Sequence, residues 1–453
     1  MGKIFHFIGI GGIGMSGLAR IMLTRNHRIS GSDLEINSIV EALVKQGASV
    51  RKGHAAHHIT EEMIVVYSSD IKENNPEYRA ALDKGCRILH RADLLAKLIR
   101  KQKSLAIAGT HGKTTTSALL TSVLLEANKD PTYAIGGVLV ATKSNSCTGQ
   151  GKHFVFEADE SDQTFLKYHP YGAIVTNIDH DHLINYQNNF NNLLAAFKTF
   201  TNQVESTRHL FWFGDDPNLF SMELEGNSYG FKSHCTWQIS NLRQEGFQLI
   251  FDLKGPQVNF KEIILKLIGE HNALNAAAVF GLAINLEIDE ATIRKSFAHF
   301  QGVERRCETK GMINDILFID DYAHHPTEIT TTLKGIRKAI GSNKRLVAIF
   351  QPHRYSRTEE SQGKFGACFE PVDEVIVTDI YAAGELPISG LSGAKVMDEI
   401  KENHQACQYV PRTALTHKLS QFVKKNDVII TLGAGDITRI ANEIIILLDN
   451  QNR

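Results

Sequence analysis

The run Gly109-Thr-His-Gly-Lys-Thr-Thr115 carries the residue types that hold a triphosphate. Glycines let backbone N–H groups curl around phosphate oxygens, a lysine reaches a β- or γ-phosphate, and a hydroxyl ligates Mg²⁺. Lys113 and Thr114 are the candidates for the last two roles, and Gly109, Thr110, His111, Gly112 and Thr115 form the expected cradle. The general phosphate-loop pattern has a glycine where Ile107 stands, so this loop is a shortened variant. A second glycine turn, Gly9-Ile-Gly-Gly-Ile-Gly14 with Asp33 downstream, has the Gly-x-Gly-x-x-Gly spacing that rests a diphosphate on a helix N-terminus. NAD and a UDP-sugar both supply that group, so the turn indicates a pyrophosphate rather than hydride chemistry. Gly9, Gly11, Gly12 and Gly14 are expected substrate contacts, with Ser32, Asp33, Ser68 and Ser69 beside them.

Four polar clusters add chemistry. Glu157-Ala-Asp-Glu-Ser-Asp162 and Thr176-Asn-Ile-Asp-His-Asp-His182 mix carboxylate, imidazole and hydroxyl groups, which hold hard cations against a phosphoryl group in transfer. Two Mg²⁺ ions fit this set, and zinc ranks low because no cysteine joins Asp179–His182. In Asp320-Asp-Tyr-Ala-His-His-Pro326 and Gln351-Pro-His-Arg-Tyr-Ser-Arg357 the notable pair is Arg354 and Arg357. Three residues apart on a helical turn, they would share a face and fork a carboxylate, such as that of a free amino acid. His54, His57 and His58 have no partner motif and read as surface residues, and Gly433-Ala-Gly-Asp436 reads as a helix-packing turn.

The elements that position these groups are strands with helices between them. Lys3–Ile8, Ser104–Ala108 and Asp427–Leu432 are β-rich runs that end in glycine turns and open helical patterns; Met63–Tyr67, Phe154–Phe156, Ala173–Thr176, Leu346–Phe350 and Glu374–Thr378 are further strands. Strands alternating with helices give an α/β fold with mainly parallel sheets, and the polar clusters crown strand ends, where such sheets bind ligands. Segment Phe211–Lys266 is more strand-like and reads as a small antiparallel addition. At 453 residues the chain holds about three domains, placed at 1–102, 103–301 and 302–453. Lys+Arg number 49 against 50 Asp+Glu, so no net field draws nucleic acid or an anionic membrane. The glycine-broken N-terminus does not read as a signal peptide, no 18 apolar residues run together, and six scattered cysteines fit a reducing compartment. A cytoplasmic protein without membrane insertion, monomer or homodimer, is expected.

Gly9–Ala19, Gly109–Thr115, Glu157–Asp162, His271-Asn-Ala-Leu-Asn275, Asp320–Glu328 and His353–Thr358, in this order along nearly the whole chain, resemble the Mur ligase family. The resemblance implies a UDP-binding Rossmann-like domain, a central P-loop ATPase domain and a C-terminal Rossmann-like domain that brings the amino acid. It implies an enzyme that uses ATP and Mg²⁺ to join L-alanine to UDP-N-acetylmuramate through an acyl phosphate, or a relative that adds a different amino acid or peptide. Lys113 and Thr114 would serve the γ-phosphate and one Mg²⁺, and Glu157 and His182 a second. His271 and Asn272 match the adenine side, with Arg305 or Arg306 near the nucleotide, and Tyr322, His324, Arg354 and Arg357 match the positions around L-alanine. Ile184 stands where the family usually has an acid.

Overall fold

The computed structural model describes residues 3–180 and 183–451. The chain forms two compact units: one runs to Asn241 and adds Phe251–Leu265 and His271–Gln301, and the other takes Leu242–Ile250, Lys266–Glu270 and everything from Gly302.

The first unit holds one sheet whole and, apart from Leu242–Ile250, a second. One has five parallel strands in the order Ser49–Lys52, Arg28–Asp33, Ile4–Ile8, Met63–Tyr67, Arg87–His90. The first strand in sequence lies in the middle, so the strand order reverses beside it and a crevice opens at its C-terminal end, where Gly9–Gly14 turns into helix Ile13–Thr24. That helix buries Met15, Leu18, Ala19, Ile21 and Met22, the spacing of one helical face. The other sheet has ten strands. Lys103–Ala108 runs parallel between His153–Glu157 and Gly172–Val175, with Ile107 beside Glu157 and Ala108 beside Val175. This register brings the phosphate loop and both acidic clusters to one sheet edge. Leu105, Ala106, Ile107 and Ala108 are wholly buried, as expected of a strand covered on both faces.

Segment Phe211–Lys266 departs from the expected antiparallel addition. Leu210–Phe213 and Asn227–Gly230 extend the parallel sheet, with the short helix Pro217–Ser221 as crossover. Only Trp237–Glu245, Gln248–Gly255 and Val258–Leu265 follow one another through two-residue connections, which antiparallel neighbours alone allow.

The second unit holds six strands in the order Glu308–Ile313, Ile316–Asp321, Val428–Leu432, Leu346–Phe350, Glu374–Val377, Cys407–Tyr409. The first pair is antiparallel and the others parallel. Its core packs Phe350 against Phe365 and Phe369, each buried; a buried side chain of this size contributes about 1.5–3 kcal/mol. Among the described residues no helix is long and apolar enough to cross a membrane.

Candidate active site

The phosphate loop is shaped by two glycines. Gly109 has φ +122°, and a Cβ there would fall 2.1 Å from Thr176 Oγ1, so only glycine fits. Gly112, at φ +85°, caps helix Lys113–Glu126 and faces Asn275, whose side chain donates to Asn272 Oδ1 at 3.2 Å. Asn272 is buried at the start of helix Glu270–Asn285 and its neighbour His271 is exposed. The loop is also held from Thr176–Asp179: Thr176 Oγ1 and Asn177 Nδ2 donate to His111 O at 2.6 and 3.1 Å, the His111 amide donates to Asn177 Oδ1, and the Asp179 amide donates to Thr110 Oγ1. Thr115 is half-buried one residue along the helix.

Lys113 curls back so that Nζ donates to Gly109 O at 2.6 Å and to both oxygens of Glu160 at 3.0 and 2.8 Å. Burial opposes its charge, but Glu160 and Asp159 outweigh it and hold the ammonium above its ordinary pKa. Glu157 accepts from Thr114 Oγ1 at 3.3 Å, Ser117 Oγ at 3.1 Å and the Gly136 amide at 2.5 Å. A Cβ on Gly136 would come within 2.6 Å of Glu157 Oε2. Asp159 pairs with Arg91 at 2.9 Å; burial works against its ionisation, yet Lys113 and Arg91 hold the carboxyl down at about 2. Carboxylate and hydroxyl oxygens at one sheet edge suit a hard cation such as Mg²⁺.

The first glycine turn reaches the same place. Gly14 and Arg91 line a cavity of about 160 Å³ together with Lys113, Gly136, Glu157 and Asp159. Asn145 Nδ2 donates to Ile13 O at 2.7 Å and ties this turn to the ten-stranded sheet. Gly9 takes φ +76°, and Gly12 lies at the N-cap. The expected substrate contacts beside the turn have other partners: Asp33 Oδ2 accepts from the Gly11 amide at 2.7 Å, Ser32 is buried on Glu77, and Ser69 Oγ donates to Asp162 at 2.5 Å. Ser68 is half-buried at the end of strand Met63–Tyr67. His54 and His58 are not surface residues: their Nδ1 atoms lie 3.5 and 2.5 Å from the buried Glu77, a partner far along the chain, whereas His57 is exposed. His182 lies outside the described residues, and Ile184 is 78% exposed in the turn Leu183–Tyr186.

In the second unit, Arg357 Nη1 donates to His324 Nε2 at 2.7 Å, which puts the imidazole proton on Nδ1 facing Tyr322 O at 3.1 Å. Burial lowers the His324 pKa, with Arg357 acting in the same direction and Glu328 against, and the ring stays neutral. Its edge meets Tyr322 and His353. Arg354 differs from the expected helical pair: it is the N-cap of helix Tyr355–Glu360, with φ +63° and ψ 139°, so the two arginines do not share a helical turn. Its buried Nε has no hydrogen-bond partner among the described residues. Arg305 clasps Gly433 O at 2.6 Å and Gly435 O at 3.0 Å and lies over the Tyr322 ring, which gives the turn after strand Val428–Leu432 a partner the sequence did not reveal. Asp320 accepts from Thr431 and Thr438, and Asp321 from the Cys307 and Ala323 amides, so both acids brace strands.

Gly136, Arg91, Ser117 and Glu160 belong to the site and were not singled out from sequence. Glu160 falls within a recognised acidic run, but Gly136 and Arg91 reach Glu157 and Asp159 across 21 and 68 residues and carry no local signal.

The chain matches the Mur ligase catalytic-domain model over residues 4–103, the middle-domain model over 107–283 and the glutamate ligase domain model over 305–435. It is 57% identical to the UDP-N-acetylmuramate–L-alanine ligase of Protochlamydia amoebophila, over 99% of each chain. The crystal structure of the UDP-N-acetylmuramate-alanine ligase of Thermotoga maritima superposes with a TM-score of 0.87 at 28% identity, covering 99% of this chain and 100% of that one. A murein peptide ligase of Psychrobacter arcticus gives 0.72 at 25% identity, over 99% of both. With the helix starts that follow both glycine turns on one cavity and all three domain models in order along its length, the chain belongs to the Mur ligase family.

Proposed function

We propose that the chain joins L-alanine to UDP-N-acetylmuramate, using ATP and releasing ADP and phosphate, in the synthesis of peptidoglycan precursor. The observation that carries this is the cavity shared by Gly14, Arg91, Lys113, Gly136 and Glu157, which in this assignment has a diphosphate cradle on one side and a triphosphate cradle on the other. The high identity to an L-alanine ligase over the full length supports the choice of amino acid.

A carboxylate resists attack by an amine until it is activated. In this assignment the lactyl carboxylate oxygen attacks the γ-phosphorus and ADP leaves. The alanine nitrogen then attacks the acyl carbon, phosphate leaves, and the nitrogen loses a proton. Lys113 moves from Glu160 to the phosphate oxygens, and Arg91 and the turn at Gly14 hold the sugar diphosphate. Thr114 and Glu157, with His182 as a further candidate, would hold Mg²⁺, which would supply charge neutralisation for the transferring group. Tyr322, His324, Arg354 and Arg357 take the amino acid, the unpaired Arg354 Nε offering a free donor for its carboxylate. His271, Asn272 and Arg305 are assigned to the nucleotide. Positioning and charge neutralisation provide most of the rate. The domains are assigned as 1–102, 103–301 and 302–453, and the reaction to the cytoplasm, where ATP is available.

The test is phosphate release from ATP and Mg²⁺ with UDP-N-acetylmuramate and each amino acid in turn. Release that requires both the UDP-sugar and L-alanine supports the assignment; release with a peptide but not with alanine identifies a different acceptor, and release indifferent to both refutes it.

A further inference from the structure

We propose that Asp215, His234 and Cys235 form a site for a thiophilic divalent cation, with Zn²⁺ as the reference ion, apart from the oxygen-lined cavity beside Lys113. Among the described residues this is the one group of three or more His, Cys, Asp or Glu side chains whose ligand atoms all lie within 4.8 Å of one another. Cys235 Sγ stands 3.5 Å and His234 Nε2 4.0 Å from Asp215 Oδ1. Zinc bonds of about 2.0–2.3 Å place the ligand atoms of a tetrahedron roughly 3.3–3.8 Å apart, a spacing that the two pairs made by Asp215 Oδ1 already approach. A fourth donor is at hand in Gly214 O, which accepts from His234 Nε2 at 2.9 Å while no ion is bound.

The pocket is built rather than incidental. Asp215 is held by the Phe231 and Lys232 amides at 2.6 and 3.2 Å, which fixes the carboxylate and leaves lone pairs toward Cys235. Two glycines make the room. A Cβ on Gly214 would lie 2.7 Å from Cys235 Sγ, and one on Gly230 2.7 Å from the Asp215 carboxylate. Cys235 is buried beneath, while His234 is 38% exposed at its side chain and leaves an entry path from solvent. Sulfur, nitrogen and oxygen donors together select Zn²⁺ or Co²⁺ over Mg²⁺. On binding, bonds form from the ion to Sγ, Nε2 and Oδ1; the Cys235 S–H bond breaks and its proton passes to solvent, and the His234 ring proton leaves Nε2 while Nδ1 takes one from solvent, so the imidazole stays neutral. No electron is transferred.

The site also bears on the loop that holds the phosphate cradle. Asp216, the next residue, accepts from the Ile178 amide at 3.1 Å, and Asn218 donates to Ile178 O at 3.2 Å. An ion on Asp215 therefore fastens the turn that supports Thr176–Asp179.

The experiment is titration of the full-length chain with Co²⁺ alone, followed optically, with Zn²⁺ as competitor. The expected result is one equivalent bound with a thiolate-to-cobalt charge-transfer band and the visible bands of a tetrahedral site. Zn²⁺ should displace it and excess Mg²⁺ should not. Cys235→Ser should abolish the charge-transfer band, and His234→Ala, at an exposed position, should weaken Co²⁺ binding about tenfold or more. Phosphate release with Mg²⁺ reports whether each variant is folded. Absence of the band in the unsubstituted chain, or its persistence at full strength in both variants, overturns the proposal; the latter places the thiolate elsewhere.

Discussion

Lys113 Nζ stands 2.8 Å from Glu160 Oε2 and 3.0 Å from Oε1, so the lysine that the phosphate loop offers to an anion is closed onto a carboxylate that is itself 2% exposed. Removing one partner of such a pair strands the other. Lys113→Ala is expected to abolish phosphate release and also to cost about 3–5 kcal/mol of stability, because Glu160, whose pKa burial raises, loses its buried counter-charge. Lys113→Ala with Glu160→Gln should recover most of the stability and none of the activity. Denaturant unfolding and turnover of the single and double variants check this; equal stability of the two would show that Glu160 does not depend on the lysine.

Gly136 is exposed, yet its amide holds Glu157 and a Cβ would meet that carboxylate at 2.6 Å. Its φ is not in the left-handed region, so alanine strains no backbone. Gly136→Ala should leave the melting temperature nearly unchanged while pushing Glu157 off Thr114. The expected loss is about tenfold in kcat, equivalent to about 1.4 kcal/mol, with a higher Mg²⁺ requirement. Steady-state rates across a Mg²⁺ series decide it, and unchanged Mg²⁺ dependence would remove Glu157 from the cation site.

What could be read in sequence follows from range. Lys103–Ala108, its glycine turn and the helix after it are contiguous, so the phosphate loop and its supporting strand were legible from 15 or so residues of pattern. The register that sets Ile107 beside Glu157 and Ala108 beside Val175 follows from strands that end in polar clusters. Gly136 and Arg91 were not legible, because a backbone amide has no residue signature and Arg91 meets Asp159 only after two sheets pack together. Arg354 misled because spacing of three implies a shared face only inside a helix, and its φ of +63° places it just before one.

His54 and His58 reach the buried Glu77 from the loop after strand Ser49–Lys52, joined by His6 at 3.4 Å and Ser32 Oγ at 2.5 Å. Burial would raise the Glu77 pKa, but hydrogen bonds from His6, Ser32 and His58 bring it down from 4.5 to about 2. A carboxyl lowered by that much contributes about 3 kcal/mol at neutral pH. The contribution is complete above the unfolded-state value and is lost as pH falls from about 4.5 toward 2. Glu77→Gln should therefore be less stable than the unsubstituted chain at pH 7, and the difference should shrink across that window. Unfolding midpoints at several pH values test it, and a difference independent of pH would mean that the ionised form of Glu77 is not what the cluster stabilises.

Arg357 donates to His324 Nε2, and burial, with Arg357 acting the same way, lowers the pKa of the imidazole, so that guanidinium and imidazole sit together at one point beside Tyr322. If that point takes the carboxylate of L-alanine, loss of the guanidinium removes a charged hydrogen bond worth about 1.5–3 kcal/mol. Arg357→Ala should then raise KM for L-alanine by about 10- to 100-fold, while KM for ATP and for UDP-N-acetylmuramate stays within about twofold, since neither cradle in the first unit includes it. Arg357→Lys should recover only part of the loss, because an ammonium cannot reproduce the planar fork. Steady-state kinetics with each substrate varied in turn gives the answer. An equal rise in KM for ATP would move Arg357 from the amino acid to the nucleotide.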